Sequence, residues 1–321
     1  MMWRLPNDCR NRGADILGRG IAFVFFLLSV LGAGSVAGAA MVTSAQPGKA
    51  VFFALGDHGV GNKNQRRVAH AMERVASQTG GVDWVLLLGD NFYPKGVVSD
   101  KDPKWRSHFE SIYDGPILAN TPFYAVLGNH DAGSSLDAQV DYGRNKMGSG
   151  RWRMEGRQYV VDHGQTTSGQ PLLRMVMLDG QQDVEIQKNF VRQAFSQPSN
   201  QPMWRMVASH YPLHSSGLHG DTNRLLNELL PILQAEKIDV YLCGHDHDLE
   251  MIAPPSEPVQ IISGAGGADL YALREKNPWS QFFAKRFGFV QWVVSEQNLD
   301  VTFFEDQGNV LYNKQIARRG R

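Results

Sequence analysis

The chain has 321 residues, of which 42% are hydrophobic and 10% aromatic; that is enough to bury a large core and excludes an intrinsically disordered chain. Lys plus Arg and Asp plus Glu both number 32, so no global field points to nucleic acid or to an acidic membrane surface as partner. Recognition of an anion has to be local.

The N-terminus has its own composition. Arg4, Arg10, Arg12 and Arg19 precede an apolar run from Gly20 to Gly34, and small residues follow with an A-x-A pattern at Ala37–Gly38–Ala39. Residues 1–39 therefore read as a secretory signal peptide cut near Ala39, which predicts a secreted or periplasmic protein. The alternative is an uncleaved anchor facing outside the cytoplasm, since Ile21–Ala40 carries no charge and could span a bilayer core of roughly 30 Å; the small-residue tail favours cleavage. A membrane is a partner only if that segment is retained. The cysteines are Cys9 and Cys243, and Cys9 would leave with the leader, so the mature chain has no internal disulfide.

Residues 40–49 read as a linker, polar from Thr43 to Lys49, residues 50–315 as one folded domain and residues 316–321 as a basic tail. Within the domain, short apolar runs end in motifs rich in metal-ligand residues. Val51–Leu55 runs into GDHG (56–59), Val85–Leu88 into GDNFY (89–93) and Phe123–Leu127 into GNHD (128–131). Met206–Ala208 runs into SHYP (209–212) and Val240–Leu242 into GHDH (244–247). Helical spacing appears between the first two runs at Val68, Met72, Val75 and Ala76, and before the third at Trp105, Phe109 and Ile112. Strand alternating with helix predicts βαβ crossovers. After Gly267 the pattern changes: Phe289–Val294 and Leu299–Phe304 read as an antiparallel hairpin, with a further strand at Val310–Asn313. The expected fold class is α/β, a mixed domain with two stacked sheets, its donors clustered just past the carboxyl ends of the strands.

An Asp directly after a strand most often caps a turn, so Asp57 or Asp90 alone says little. His245 and His247 say more, because residues two apart on an extended segment point the same way and both imidazoles can face one pocket while Asp246 turns away. Donor hardness separates the candidates: carboxylates and a phenolate suit a hard, highly charged ion, whereas imidazole and amide oxygen suit zinc, iron(II) or manganese. Tyr93 is the discriminating residue, because a neutral phenol is a poor ligand at neutral pH unless a trivalent ion displaces its proton. On a loop by itself it would be ordinary aromatic packing. Two metal ions in such a pocket point to hydrolysis of a phosphate ester.

The ordered set GDHG, GDNFY, GNHD, SHYP and GHDH, with the YLCGHDH context of Cys243 and the SGAGG segment at 263–267, resembles the purple acid phosphatases, specifically the small, tartrate-resistant form. These belong to the calcineurin-like metallophosphoesterase superfamily, whose fold is a four-layer sandwich of two stacked mixed β-sheets flanked by helices. The resemblance covers about Val51 to Lys314, and GDNFY is its most specific part. It implies an iron(III) held by Asp57, Asp90, Tyr93 and His247, with Asp90 bridging to a divalent ion (Fe2+, Zn2+ or Mn2+) held by Asn129, His210 and His245. It further implies hydrolysis of phosphate monoesters by metal-bound hydroxide, with His130 and His219 binding phosphate and assisting the leaving group. Two other readings stand beside it: a phosphodiesterase or nucleotidase using two divalent ions, and a non-catalytic phosphate-binding protein, which would have lost ligands. None is missing here.

The chain departs from the family at His58, where Trp is frequent, and at Ala132, where the animal enzymes have His. His58 is expected to be a solvated turn residue, His214 a surface residue, and His70, His108 and His163 structural or solvated. The animal form's repressive disulfide loop has no cysteine pair here. Residues 137–156, rich in Gly and Arg, are expected to form a loop over the site, where Arg144, Arg151 and Arg153 either meet an anionic substrate or, as is usual for charged loop residues, are solvated.

Overall fold

The computed structural model describes residues 40–42, 46–196 and 200–319. The expected leader or anchor at 1–39 lies outside the described residues, and among the described ones no helix is long and apolar enough to cross a membrane. The first half of the chain runs β1 (Ala40–Val42), β2 (Lys49–Leu55), α1 (Lys63–Thr79), β3 (Trp84–Leu88), β4 (Phe123–Val126), α2 (Leu136–Arg144), β5 (Trp152–Arg153), β6 (Tyr159–Gln165) and β7 (Pro171–Met177). The second half runs α3 (Val184–Phe195), β8 (Trp204–Ala208), α4 (Asn223–Glu228), α5 (Leu230–Ala235), β9 (Val240–Cys243), β10 (Leu249–Ile252), β11 (Val259–Ser263), β12 (Ser280–Ala284), β13 (Gly288–Ser295), β14 (Leu299–Glu305) and β15 (Val310–Ile316).

Among the described residues two mixed sheets form, with strand orders β15-β14-β13-β2-β3-β4-β5 and β1-β6-β7-β8-β9-β11-β10-β12. In the first sheet β2 to β5 run parallel and the C-terminal strands add antiparallel at the β2 edge. In the second, β7, β8, β9 and β11 are parallel. Strand periodicity explains the layering. Met175, Met177, Met206, Ala208, Leu242 and Ile261 belong to the same apolar core as Phe52, Leu86 and Trp292 of the first sheet. Their neighbours Val176, Val207, Tyr241, Cys243 and Ile262 point the other way, onto Val191, Leu225 and Leu233 of α3 to α5. The sheets are also tied by hydrogen bonds: Trp204 Nε1 donates to the Ser295 carbonyl at 2.6 Å, and Ser263 Oγ to the Ala54 carbonyl at 2.9 Å.

α1 begins where the Asn62 side chain accepts from the amides of Asn64 and Gln65, and it stops at Gly80, whose φ of 88° suits glycine. Its buried stripe includes the four residues that the spacing predicted, Val68, Met72, Val75 and Ala76. Trp105 and Phe109 are buried too, but on one wide turn, where the Ser111 amide reaches back to the Arg106 carbonyl, rather than on a regular α-helix.

Two expectations are corrected. The 40–49 linker is interrupted, because Ala40–Val42 pairs in parallel with β6 and Lys49 already belongs to β2. Residues 137–156 are not a loop over the site: α2 and β5 account for much of the segment, and β5 pairs with β4 at the sheet edge. The arginines there serve structure. Arg151 is buried and donates to the carbonyls of Tyr113, Leu118 and Glu110 and to the Glu110 carboxylate. Arg144 donates to the Glu155 carbonyl, and Arg153 lies on the β5 edge.

His163, on β6, is fully buried, stacked on Trp84 at 3.7 Å, with neither ring nitrogen hydrogen-bonded. Burial keeps it neutral and pushes its pKa down to about 3. In the unfolded chain it takes up a proton nearer its ordinary value, so below about pH 6.5 the unfolded state binds more protons and stability falls by about 1.4 kcal/mol per pH unit. His163→Phe removes that loss. Its advantage over the wild type in urea unfolding should be ~2–3 kcal/mol larger at about pH 4.5 than at about pH 8; an advantage independent of pH would contradict this.

Candidate metal centre

Five strand ends deliver the expected donors to one place. Asp57 follows β2, Asp90 follows β3, Asn129 follows β4, His210 follows β8, and His245 and His247 follow β9. Asp57, Asp90 and His245 have φ values of 55°, 51° and 71°, a backbone region that costs a non-glycine residue about 1–3 kcal/mol and persists only where the surroundings enforce it. Close approach explains the glycines before Asn129 and His245. A Cβ on Gly128 would lie 2.2 Å from Asp90 Oδ1, and one on Gly244 would lie 2.4 Å from Asp57 Oδ2. The glycine of one motif is thus the space occupied by the carboxylate of another.

The donor atoms converge. Asp57, Asp90 and His210 each offer an atom within 4.8 Å of the others, and all three residues are buried. The Tyr93 hydroxyl lies 3.0 Å from Asp90 Oδ2, 3.3 Å from Asp57 Oδ1 and 3.2 Å from His247 Nε2. His210 Nε2 lies 3.0 Å from Asn129 Oδ1, 3.3 Å from His245 Nδ1 and 3.6 Å from Asp90 Oδ2. Two groups follow, both touching Asp90: one with Asp57, Tyr93 and His247, the other with Asn129, His210 and His245.

The imidazoles are oriented from behind. His210 Nδ1 donates to the Leu88 carbonyl at 2.9 Å and His247 Nδ1 to the Asp269 carbonyl at 2.6 Å, which leaves each Nε2 facing the pocket. With its Nδ1 hydrogen so engaged, neutral His210 would set a lone pair against the Asn129 oxygen. A bound cation, a proton on Nε2 or an Asn129 amide turned by 180° would each satisfy that contact. Burial pushes the Asp57 carboxyl up, and burial followed by the Asp57 and Asp90 charges pushes the Tyr93 phenol far above its ordinary range. Burial, with His210 next in weight, lowers His245 to about 2. His210 and His247 go up despite their burial, because Asp57 and Asp90 outweigh it. A buried carboxylate pair converging with imidazoles, with no Lys or Arg bound to it among the described residues, is a donor set that fits cations.

A second layer locks the loops together. The Asp131 carboxylate accepts from the amides of Asn91, Phe92 and Gly128 and from the Gln139 side chain, so it joins GDNFY to GNHD. Asn91 in turn donates to the Val126 carbonyl and Gln139 and accepts from His58 Nε2 at 3.3 Å.

His130 and His219 flank the donors. His130 Nδ1 donates to the Pro94 carbonyl at 2.7 Å, its ring 4.2 Å from that of Tyr93, and Nε2 lies 3.9 Å from Asp90 Oδ2. His219 stacks on His245 at 4.1 Å, and Asp246 Oδ1 accepts from both its amide and its Nδ1 at 3.0 and 2.8 Å. Asp246 does turn from the donors, and its task is to hold His219.

A model of the calcineurin-like phosphoesterases matches residues 50–249, and one described as iron/zinc purple acid phosphatase-like protein C matches residues 257–313. The chain belongs to the calcineurin-like phosphoesterase family. It is 31% identical over 289 residues to purple acid phosphatase 4 of Arabidopsis thaliana, covering 83% of each chain. To tartrate-resistant acid phosphatase type 5 of Sus scrofa it is 30% identical over 305 residues, covering 84% of this chain and 87% of that one. The fold is shared with GAP50, described as the anchor in the inner membrane complex of Plasmodium (TM-score 0.76, 24% identity, 85% of this chain and 90% of that one). It is also shared with purple acid phosphatase PPD1 of yellow lupin (TM-score 0.62, 18% identity, 86% and 55%). The protein is a metal-dependent phosphatase.

Several side chains of this phosphoesterase depart from expectation. His58 is not solvated: it is buried, with Nδ1 against the Tyr113 hydroxyl and Gln65 Nε2, and burial lowers its pKa to about 4. His214 is half-buried rather than free in solvent, since Asp221 and Glu257 hold its two ring nitrogens at 2.9 and 3.0 Å. Tyr271 had no sequence signal, yet it stacks on His247 at 4.1 Å and meets the His219 ring edge at 5.5 Å. Asp131 and Asn91 sit inside the motifs, and their place there was the available clue to their role.

Gly128→Ala tests the close-approach argument. The added methyl displaces the Asp90 carboxylate, so metal content and phosphatase activity should both fall at least about tenfold while the far-ultraviolet circular dichroism stays native; a fully active, metal-replete variant would contradict it.

Proposed function

We propose that the protein is an exported acid phosphatase that hydrolyses phosphate monoesters with a dinuclear centre of iron(III) and a divalent ion. The observation that carries this reading is the Tyr93 hydroxyl set among Asp57, Asp90 and His247 within 3.0 to 3.3 Å. Asp57, Asp90, Tyr93 and His247 would hold the iron(III), and Asp90, Asn129, His210 and His245 the Fe2+, Zn2+ or Mn2+. Such a pair supplies Lewis acidity, neutralises phosphate charge and lowers the pKa of water. Export rests on the leader-like composition of residues 1–39.

The chain's own groups handle the rest. Hydrolysis adds a water oxygen to phosphorus and breaks the ester P–O bond; the alcohol leaves with a proton. Asp246 fixes His219 with its Nδ1 as donor, which leaves Nε2 to carry the proton to the departing oxygen. His130, tied through Nδ1 to Pro94, presents Nε2 to the phosphate.

Purified protein should contain iron and be violet or pink from tyrosinate-to-iron charge transfer. Tyr93→Phe should lose that visible band; a colourless, iron-free and fully active wild type would sink the iron(III) assignment in favour of two divalent ions.

For His219→Ala, turnover of 4-nitrophenyl phosphate should drop about 10²-fold with both metals retained. Loss of both metals from that variant would instead make His219 a ligand or a structural support.

A further inference from the structure

Beside His219 lies a cavity of about 500 Å³ between the segments 215–223 and 274–278, lined among others by His219, Asn223, Arg274, Glu275 and Lys276. Its size is that of a small-molecule site. Two cations line it without a carboxylate partner among the described residues. Arg274 spends one side-chain hydrogen on the Leu218 carbonyl at 3.3 Å, and Lys276 has no ion pair. Of the acids in its wall, Asp221 is already engaged by His214 Nδ1 at 2.9 Å and by the Ser215 amide at 3.0 Å. Glu275 is the remaining one.

The wall is built rather than incidental. The amides of Arg274 and Glu275 donate to the Ser216 carbonyl at 2.9 and 3.3 Å, and the Asn277 amide donates to Ser216 Oγ at 2.8 Å. Ser216 is itself anchored: its amide and hydroxyl donate to the fully buried Glu250 carboxylate at 3.0 and 2.5 Å. The Tyr271 amide fixes the same segment to the His247 carbonyl at 3.1 Å. The backbone carrying Arg274 and Lys276 is thus fastened to the loop that carries His219 and to the donor motif, which sets the two exposed side chains on the cavity wall.

The geometry points to a second anion subsite that receives the leaving group's own phosphate, so that the preferred substrates are small phosphate esters bearing a second phosphate. This rests on the phosphatase reading above, in which His219 protonates the leaving oxygen. A group that does so stands on the leaving side of the phosphorus, so the body of the alcohol extends past His219 into this cavity. A guanidinium with hydrogens to spare beyond its bond to Leu218 and an ammonium are the pair that recognises a phosphate there. The reaction is unchanged: water adds to one phosphorus, one ester P–O bond breaks, and the alcohol leaves still carrying its other phosphate.

The test compares fructose 1,6-bisphosphate with fructose 1-phosphate, which lacks the second phosphate, as a ratio between variants so that the difference in ring form cancels. In the double variant Arg274→Ala/Lys276→Ala, the ratio of kcat/KM for the bisphosphate to that for the monophosphate should fall about tenfold, mostly through KM. Glu275→Gln should move the same ratio upward, about twofold. Calorimetric binding of a bisphosphonate analogue of the bisphosphate, which cannot be hydrolysed, should weaken about tenfold in the double variant. If the protein fails to hydrolyse 4-nitrophenyl phosphate but the calorimetric shifts appear, the phosphatase reading falls and the subsite stands. If the protein is active and neither the kinetic ratio nor the calorimetric affinity responds to these charges, the subsite is overturned.

Discussion

Two carboxylates buried side by side, Asp57 and Asp90, are the constraint around which this molecule is organised. Each is at most 1% exposed, and a buried unpaired carboxylate is expensive unless hydrogen bonds and positive charge meet it. The backbone supplies part of the compensation: the His245 amide donates to Asp57 Oδ2 and the His130 amide to Asp90 Oδ1, each at 2.8 Å. The His245 amide belongs to a residue held at a φ of 71°, and the two carboxylates themselves sit on residues held at φ of 55° and 51°. The strain and the buried charge thus fall on the same turns. What remains, two carboxylates facing imidazoles and a protonated phenol, is a cation-binding potential built into the fold.

Asp131 shows how the same problem is solved without a cation. It too is fully buried, and burial followed by the Asp90 charge pushes its pKa up to about 7. Yet it is surrounded by donors, the amides of Asn91, Phe92 and Gly128 and the Gln139 side chain. A carboxylate saturated with donors acts as a structural clamp, whereas one left partly unsaturated is available to a ligand. The two roles fall on Asp90 and Asp131, and the difference lies in their partners rather than in residue type.

That distinction marks what was legible in the sequence. Parallel strands buried on both faces read as continuous apolar runs, so Val51–Leu55, Val85–Leu88 and Phe123–Leu127 announced β2, β3 and β4, and the donors followed because each sits two residues beyond its run. The C-terminal hairpin was legible for the same local reason, with Val294 paired to Leu299. Long-range partners were not. Nothing near His58 in the chain reveals that Asn91 and Tyr113 enclose it, and nothing near Arg151 reveals carbonyls more than 30 residues away. Both were read as solvent or substrate contacts because a polar residue on a turn has that default. Tyr271, Arg274 and Lys276 stayed silent because their segment has no strand or helix periodicity and owes its position to Ser216 and His247.

The division of donors between the sheets gives the site its chemical asymmetry. The first sheet contributes Asp57, Asp90, Tyr93 and Asn129, all oxygen donors, and the second contributes His210, His245 and His247, all nitrogen donors. On the proposed assignment neither ion draws its ligands from one sheet alone, since His247 crosses the seam to one and His210 and His245 cross it to the other. Hardness is then graded by geometry: the group nearest Tyr93 receives three oxygens and one imidazole, and the other receives two imidazoles and an amide beside the shared carboxylate. An ion bound to both sheets adds its binding free energy to the packing between them, so a fold that sets two buried carboxylates against each other is completed by the cations it is shaped to select.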